Sequence, residues 1–367
     1  MKVLMTADAV GGVWTYAMEL SGALQACEVD VVLAVMGPAP NLRQLEQARR
    51  LSNLRLHSFD AKLEWMADPW EDVDRAGRWL LELARAEQPD LVHLNGYAHA
   101  ALSWDRPVLV VAHSCVCSWW RAVHAQPAPS EWDEYRRRIA AGARAAHAVV
   151  APTRAFLEDF VRRYAPCAPG VVIHNGCSAN TFARDQHRAR APVVLACGRL
   201  WDEAKNMSTL DAAARNLPWP VFAAGERTAP DGRVLRAAHL SCLGTLSQPE
   251  LYSRLERSAI YVHPAKYEPF GLAVLEAALA GCALVLSDLP TLRELWDGAA
   301  LFTPAVDAGA LHGALRELIE EPALRRGLAA RAAARAACYA PEAMAQNYLS
   351  QYRRLAQRRP LQGRAFA

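Results

Sequence analysis

No apolar run in this sequence approaches the roughly 18–20 residues that a membrane-spanning helix needs. The opening Met1-Lys-Val-Leu-Met-Thr-Ala7 starts like a secretory leader, but Asp8 interrupts it far short of a usual apolar core. These two absences point to a cytosolic protein. An excess of one charge is also missing. With 41 basic and 38 acidic residues the net charge is +3, so no global field favours a nucleic acid, and any polyanion contact must be local. The nine cysteines, Cys27 to Cys338, are odd in number and include no C-x-x-C pair, which argues against zinc and against a disulfide framework. Cys115 and Cys117 alone are close; on an extended segment they would point to opposite faces, so reduced thiols are expected. G-x-G-x-x-G is absent, which weakens a nicotinamide reading, and no solenoid period is present.

What is present is ordinary globular material: 52% hydrophobic and 22% charged residues over 367 positions, a length sufficient for two domains at roughly 100–200 residues each. Apolar runs of four to seven residues alternate with amphipathic stretches, as in a parallel sheet covered on both faces by helices. A first set lies at 3–7, 31–36, 54–59, 91–94, 108–112, 148–151 and 171–173; a second lies at 193–197, 221–224, 240–243, 260–262, 283–286 and 300–302. The polar stretch 179–192 between them, with Arg184, Asp185, Arg188 and Arg190, reads as a linker. After Pro304 the chain reads as helical, through 311–320, 324–338 and 342–357, and ends in a basic tail from Arg358. The expected fold class is α/β, with two Rossmann-like doubly wound domains facing a cleft and C-terminal helices.

In open α/β sheets ligands bind beyond the carboxyl ends of the strands, so the residues just past each run carry the functional information. In the first set these are Asp8 with Gly11 and Gly12, Asn95 and Gly96, His113, and Asn175 and Gly176; in the second they are Gly198 and Arg199, Gly225 and Glu226, and His263 followed by Lys266 and Glu268. The Gly11-Gly12 turn opens a helix whose free N–H groups suit a phosphate, although a tight turn without ligand fits it equally. Glu268-Pro-Phe-Gly-Leu-Ala-Val-Leu-Glu276 is the most informative segment. Gly271 can start a helix with a stripe of Leu272, Leu275 and Leu279, which places Glu276 where a carboxylate is partly buried and needs donors such as a ribose diol, the alternative being a salt bridge to a basic side chain inside the domain. The N–H groups of residues 270–273 would be unpaired there and could hold a diphosphate. Arg199 and Lys205 flank the turn after another run and form a plausible diphosphate clamp, the alternative being pairing with Asp202 or Glu203. His113, at a strand end, can orient a hydroxyl. His93, His174 and His263 read as packed or hydrogen-bonded core histidines. Asp72-Val-Asp74 matches the D-x-D of metal-dependent sugar transferases but falls on the helix-like stretch 69–86 and reads as a solvated face; no metal site is expected.

Together these residues resemble the retaining glycosyltransferases of family 4, which have the GT-B fold. The resemblance covers nearly the whole chain and rests on the Gly11-Gly12 turn, His113, Ile173-His-Asn-Gly176, Gly198-Arg-Leu200 with Lys205-Asn206, Leu243-Gly244 and the E-x7-E segment from Glu268 to Glu276. It implies an acceptor-binding domain at 1–182, a nucleotide-sugar domain at 183–340, and a final segment 341–367 whose helix crosses back to the first domain. It implies retaining transfer of a hexose from a nucleotide-diphosphate sugar, UDP-sugar favoured, to an unknown acceptor hydroxyl in glycan or glycoconjugate biosynthesis, without metal or resident cofactor. Arg199 and Lys205 would neutralise the diphosphate and Glu276 would bind the ribose hydroxyls. Glu268, with the backbone of Phe270, Gly271 and Leu272, would hold the donor sugar; His113 would line the sugar site from the other domain and Gly12 would approach the phosphates. Two departures stand out: the Arg199–Lys205 turn looks one residue longer than usual, with Trp201 inserted, and Ser287-Asp-Leu-Pro290 replaces a Gly-Gly pair although Glu294 remains.

A non-catalytic sugar-nucleotide sensor or scaffold on the same fold is the alternative; loss of the carboxylates or cations would favour it, and all are present. Ser118-Trp-Trp-Arg121 and the helix-like stretch 130–147, with Arg136, Arg137 and Arg138 in a row, read as an acceptor-pocket lining and a solvated face. Peripheral contact with the inner face of an anionic membrane is the other reading of the same residues.

Overall fold

A computed structural model describes residues 1–179, 182 and 190–357. The chain forms two compact units. The first comprises 1–118, 127–176 and the helix from Pro341; the second comprises 119–126 and the described residues of 177–340. The expected linker 179–192 falls largely outside the described residues.

In the first unit β1 (Lys2–Asp8), β2 (Asp30–Met36), β3 (Leu54–Phe59), β4 (Leu91–Leu94), β5 (Val108–Val111), β6 (Ala148–Ala151) and β7 (Gly170–Val172) make one parallel sheet in the order β3-β2-β1-β4-β5-β6-β7. In the second, β8 (Ala191–Cys197), β9 (Val221–Ala224), β10 (Ser241–Gly244), β11 (Ser258–His263), β12 (Ala283–Ser287) and β13 (Ala300–Thr303) repeat the same winding, in the order β10-β9-β8-β11-β12-β13. Each sheet therefore has a topological switch point, between β1 and β4 and between β8 and β11, where a crevice opens beyond the strand ends. Every apolar run read as a strand is one, because a strand covered on both faces must be apolar throughout; β4, β5 and β6 are buried at every position.

Helices α1 (Gly12–Gln25), α2 (Leu42–Arg49), α3 (Trp70–Glu87), α5 (Asp133–Ala145) and α6 (Arg154–Tyr164) lie in the first unit, and α4 (Val116–His124) begins there and passes at Trp119 into the segment 119–126 of the second. In the second come α7 (Met207–Ala214), α8 (Gln248–Arg257), α9 (Leu272–Leu279), α10 (Pro290–Trp296), α11 (Ala308–Glu320) and α12 (Pro322–Ala336). The last helix, α13 (Pro341–Ala356), packs beside α1 in the first unit, burying Met344, Tyr348, Leu349, Tyr352 and Leu355 in the core built on β1, β2 and β4. In the second unit α9, with α12 against it, covers one face of the sheet, and α7 and α11 cover the other.

Two expectations are corrected. Cys115 and Cys117 do not lie on an extended segment: α4 begins at Val116, the chain turns, and both thiols reach the Tyr164 hydroxyl, Cys115 at 2.9 Å. They are nevertheless free thiols. Arg190 is not a linker residue. Its guanidinium binds the carbonyls of Glu256 and Ser258, each at 3.1 Å, and that of Ala280, joining the ends of α8 and α9 to the start of β8. No described helix is long and apolar enough to cross a membrane.

Candidate functional site

At the switch point of the second sheet, β8 ends in Gly198 and the chain makes a 3-10 turn at Glu203–Lys205. Asn206, buried and left-handed, fastens this turn by donating to the carbonyls of Pro264 at 2.8 Å and Ala305 at 2.5 Å. The turn aims Lys205 across to the loop after β11, where its Nζ donates to Glu268 Oε2 at 2.8 Å. His263 Nε2, at the end of β11, lies 3.0 Å from the same oxygen. Burial alone would raise the Glu268 carboxyl, but the charge of Lys205 and the hydrogen bond from His263 outweigh it and hold the group well below the usual carboxylate range. Burial lowers the His263 imidazole. The cluster is thus a buried carboxylate, one ammonium with two further N–H donors, and a neutral imidazole.

The Glu268 loop leads directly into α9. Gly271 caps that helix at φ +88°, a left-handed conformation that a side chain strains, and a Cβ there would lie 3.1 Å from Val274 Cγ2. Thr291 Oγ1, at the start of α10, donates to the Glu268 carbonyl at 2.6 Å and holds the loop from behind. Phe270 is buried against Tyr339, and Leu272 begins the helix. One turn on, Glu276 is 9% exposed and accepts from Tyr252 Oη at 3.2 Å, and Tyr252 accepts in turn from Gln248 Nε2 at 2.7 Å. The Tyr252 hydroxyl is thus one partner of the Glu276 carboxylate.

Arg199 differs from the expected clamp geometry. Its Nη2 donates to Asp202 Oδ2 at 3.1 Å, with the side chain 46% exposed, and the guanidinium lies 5.6 Å from the Trp201 ring centroid. Trp201, inserted in this turn, thus packs against Arg199. Lys205 does not pair with Asp202 or Glu203; Glu203 binds Arg233 instead.

In the first unit Gly12 is the first residue of α1, whose N-cap Gly11 supplies no side-chain cap. His113 follows β5, and burial pushes its imidazole down to about 3. Its Nε2 lies 2.8 Å from Asn95 Oδ1, past the end of β4, and its ring meets Tyr16 of α1 edge-on with centroids 4.4 Å apart. His93 is buried and hydrogen-bonded, and His174 Nδ1 lies 2.8 Å from the Pro152 carbonyl. Two features at these rims were missed in the sequence. His263 touches Glu268, a contact that its place at the close of an apolar run does not reveal. Glu64, in the loop after β3, accepts from the backbone N–H of Tyr97 at 3.2 Å and of Ala98 at 3.0 Å. Burial pushes its carboxyl up to about 7 against the pull of those two N–H groups.

Asp72 and Asp74 lie on α3 and pair with Arg75 and Arg138. Arg136, Arg137 and Arg138 are bound to Asp133, Glu134 and Asp74, so these charges answer one another along helix faces. Among the described residues no group of three or more His, Cys, Asp or Glu is arranged to hold a metal ion.

The family described as Glycosyltransferase Family 4 matches residues 10–180, and that described as Glycosyl transferases group 1 matches 180–335. Glycogen synthase from Mycobacterium tuberculosis is 28% identical over 90% of this chain and 89% of its own. Among solved structures, sucrose-phosphate synthase from Thermosynechococcus elongatus superposes with a TM-score of 0.77 at 20% identity, covering 97% of this chain and 99% of that one. Anabaena HepE in complex with UDP-glucose gives 0.76 at 17% identity, over 97% and 100%.

Proposed function

The chain belongs to glycosyltransferase family 4, with two Rossmann-like domains of GT-B type, and on that premise we propose that it moves a hexosyl group, with retention, from a nucleoside-diphosphate sugar to an acceptor hydroxyl. UDP-sugar is the favoured donor, a reading supported by the UDP-glucose complex of HepE. The observation that carries it is the contact of Lys205 and His263 with Glu268 immediately before the Gly271-capped helix that bears Glu276.

In this reading Lys205 and Arg199 meet the diphosphate charge, with no metal, and the N–H groups of Phe270, Gly271 and Leu272 add to it at the helix start. Lys205 retains two N–H bonds beyond the one given to Glu268. Arg199, itself half exposed and held by one bond to the buried Asp202 carboxylate and by an aromatic face, can reorient toward a phosphate. Glu276 accepts from the ribose hydroxyls. Glu268, anionic across the physiological range, accepts from donor-sugar hydroxyls. In the first unit His113 orients a hydroxyl and the Gly12 N–H faces a phosphate oxygen; that unit binds the acceptor.

The reaction breaks the bond between the anomeric carbon and the diphosphate oxygen and forms the bond to the acceptor oxygen on the same face. A donor phosphate oxygen takes the acceptor's proton, and the nucleoside diphosphate leaves. Charge grows on the diphosphate as the anomeric bond breaks, and fixed cations and helix N–H groups stabilise that charge. Release of UDP from UDP-glucose, and of GDP or ADP from their sugar conjugates, tests the proposal, with the first-formed sugar followed by NMR. Release giving the sugar in the donor's own anomeric configuration is expected. Release of the opposite anomer would overturn retention, and no release from any donor would overturn the enzyme assignment.

A further inference from the structure

Asn95 sits at the switch point of the first sheet with its backbone N–H and both ends of its side-chain amide bonded. Its backbone N–H donates to Thr6 Oγ1 at 2.8 Å and its Nδ2 to the Thr6 carbonyl at 2.7 Å. A carbonyl can only accept, so the amide cannot be turned over, and Oδ1 must be the atom that faces the two imidazoles. His113 Nε2 lies 2.8 Å from it and His93 Nε2 lies 3.2 Å from it. An amide oxygen cannot donate. Both nitrogens must therefore carry hydrogen, and since both imidazoles are neutral, each Nδ1 carries a lone pair.

The second imidazole confirms the pattern. His93 Nδ1 lies 2.6 Å from Tyr352 Oη of α13, which can donate to it, and the 3.3 Å contact of His93 Nε2 with Tyr16 Oη fits an N–H reaching a hydroxyl oxygen. The directions are consistent from α13 through β4 to the end of β5. Tyr16 meets the His113 ring edge-on, which fixes its plane.

We propose that Asn95 is a positioning residue that fixes His113 as the Nε2–H tautomer, so that its Nδ1 is a hydrogen-bond acceptor for a sugar hydroxyl. His93 and Tyr352 hold Asn95 Oδ1 in place from behind and tie this state to the terminal helix. The inference rests on the reading of His113 as a hydroxyl-orienting residue. It makes His113 an acceptor toward that hydroxyl, whereas the other tautomer would make it a donor. The titratable groups that face the imidazole are Tyr16 from α1, His93 from β4 and, beyond His93, Tyr348 and Tyr352 from α13. All are neutral between pH 5 and 9.

Long-range proton–nitrogen correlation on the full chain labelled with 15N-histidine reads the tautomer directly, with His113→Gln assigning the resonance. The expected result is Nε2–H for His113 in the wild type and loss of that preference in Asn95→Ala. An Nδ1–H tautomer in the wild type, or an unchanged preference in Asn95→Ala, would overturn the inference; the wild-type spectrum needs no variant to fold. With UDP-glucose as donor probe, Asn95→Ala should lower kcat by roughly 10- to 100-fold with little change in KM, the size expected when a reacting group loses its orientation. Asn95→Asp keeps an acceptor opposite Nε2 and adds a charge that favours imidazolium. It should keep the tautomer and make kcat fall toward acid where the wild type is flat; a flat profile together with a wild-type rate in Asn95→Ala would contradict the positioning role. Unchanged release in His113→Gln would remove the role given to His113 in the proposed function and leave the tautomer assignment standing.

Discussion

Glu268 is charged in a buried place because Lys205, 63 residues away, and His263, five residues away, both reach it, and this changes what each variant tests. Arg199 is half exposed, and Asp202, though buried, keeps the N–H bonds of Ala204 and Trp119 without it, so Arg199→Ala should cost less stability than loss of Lys205 while lowering nucleotide-sugar turnover by about 10²-fold, the cost typical of losing one charge-stabilising donor. Lys205→Ala removes the cation from a buried carboxylate and should also destabilise the fold by about 3 kcal/mol. Comparing melting temperature and initial rate for the two variants checks both. Glu64 supplies a pH dependence of opposite sign to that of a salt-bridged carboxylate. Its folded value, about 7, lies above that of an unfolded glutamate, so the folded state holds the proton more tightly. Stability from this group is full below about pH 4.5 and is lost as pH rises through 7, by on the order of 3 kcal/mol. Melting temperatures of the wild type and Glu64→Gln between pH 5 and 8 should lie closest at the low end and separate as pH rises, the wild type falling relative to the variant; a difference independent of pH would contradict this. Neither Glu268's partners nor Glu64's burial was legible in the sequence, because Lys205 lies 63 residues from Glu268 and the Glu64 carboxyl is bound by backbone N–H groups 33 and 34 residues away.

At the level of elements the legible part was large, and its reason is physical. Strands buried on both faces are written as unbroken apolar runs, so all seven strands of one sheet and six of the other could be placed by residue number. The start of α9 was legible from Gly271 and the two glutamates around it. The start of α4 was not: Ser114-Cys-Val-Cys117 alternates like a strand, and the bonds there to α6, from Cys115 to Tyr164 and from Ser118 to Asp159, join residues 49 and 41 positions apart. Arg190 was misread for a related reason, since its four carbonyl partners belong to α8, β11 and α9 and leave no local trace. Glycine tests the α9 start. Gly271→Ala must hold a side chain at φ +88° with 3.1 Å to Val274, at a cost of roughly 1–2 kcal/mol. It should weaken nucleotide-sugar binding beyond that loss, measured by titration calorimetry on the folded variant; unaltered affinity would separate the helix start from the ligand. Gly225→Ala would set a Cβ 1.7 Å from the Gly198 carbonyl, so soluble protein is not expected from it.

On the scale of the molecule, the last helix belongs to the first unit although every strand of the second precedes it. Its buried side chains Met344, Tyr348, Leu349, Tyr352 and Leu355 are each worth about 1.5–3 kcal/mol on burial. Their sum rivals the roughly 5–15 kcal/mol by which a whole domain is stable. A chain ended at Ala340 should therefore lose the cooperative unfolding transition of the first unit, seen as a missing peak in calorimetry; an unchanged thermogram would show that the helix is dispensable. The near-zero net charge of the whole, +3, conceals a local arrangement in the second unit in which Lys205 is bonded to Glu268 in the loop before α9 and Arg199 lies in the loop after β8. Whether that arrangement holds a nucleoside diphosphate is the central claim, and ligand-linked stabilisation tests it most directly. Titrating the full chain with UDP, GDP, ADP and their sugar conjugates should raise its melting temperature with one base, by the equivalent of about 2.7 kcal/mol at a hundred times Kd, and the rise should shrink in Arg199→Ala. Equal melting temperatures with every nucleotide at millimolar concentration would contradict the account.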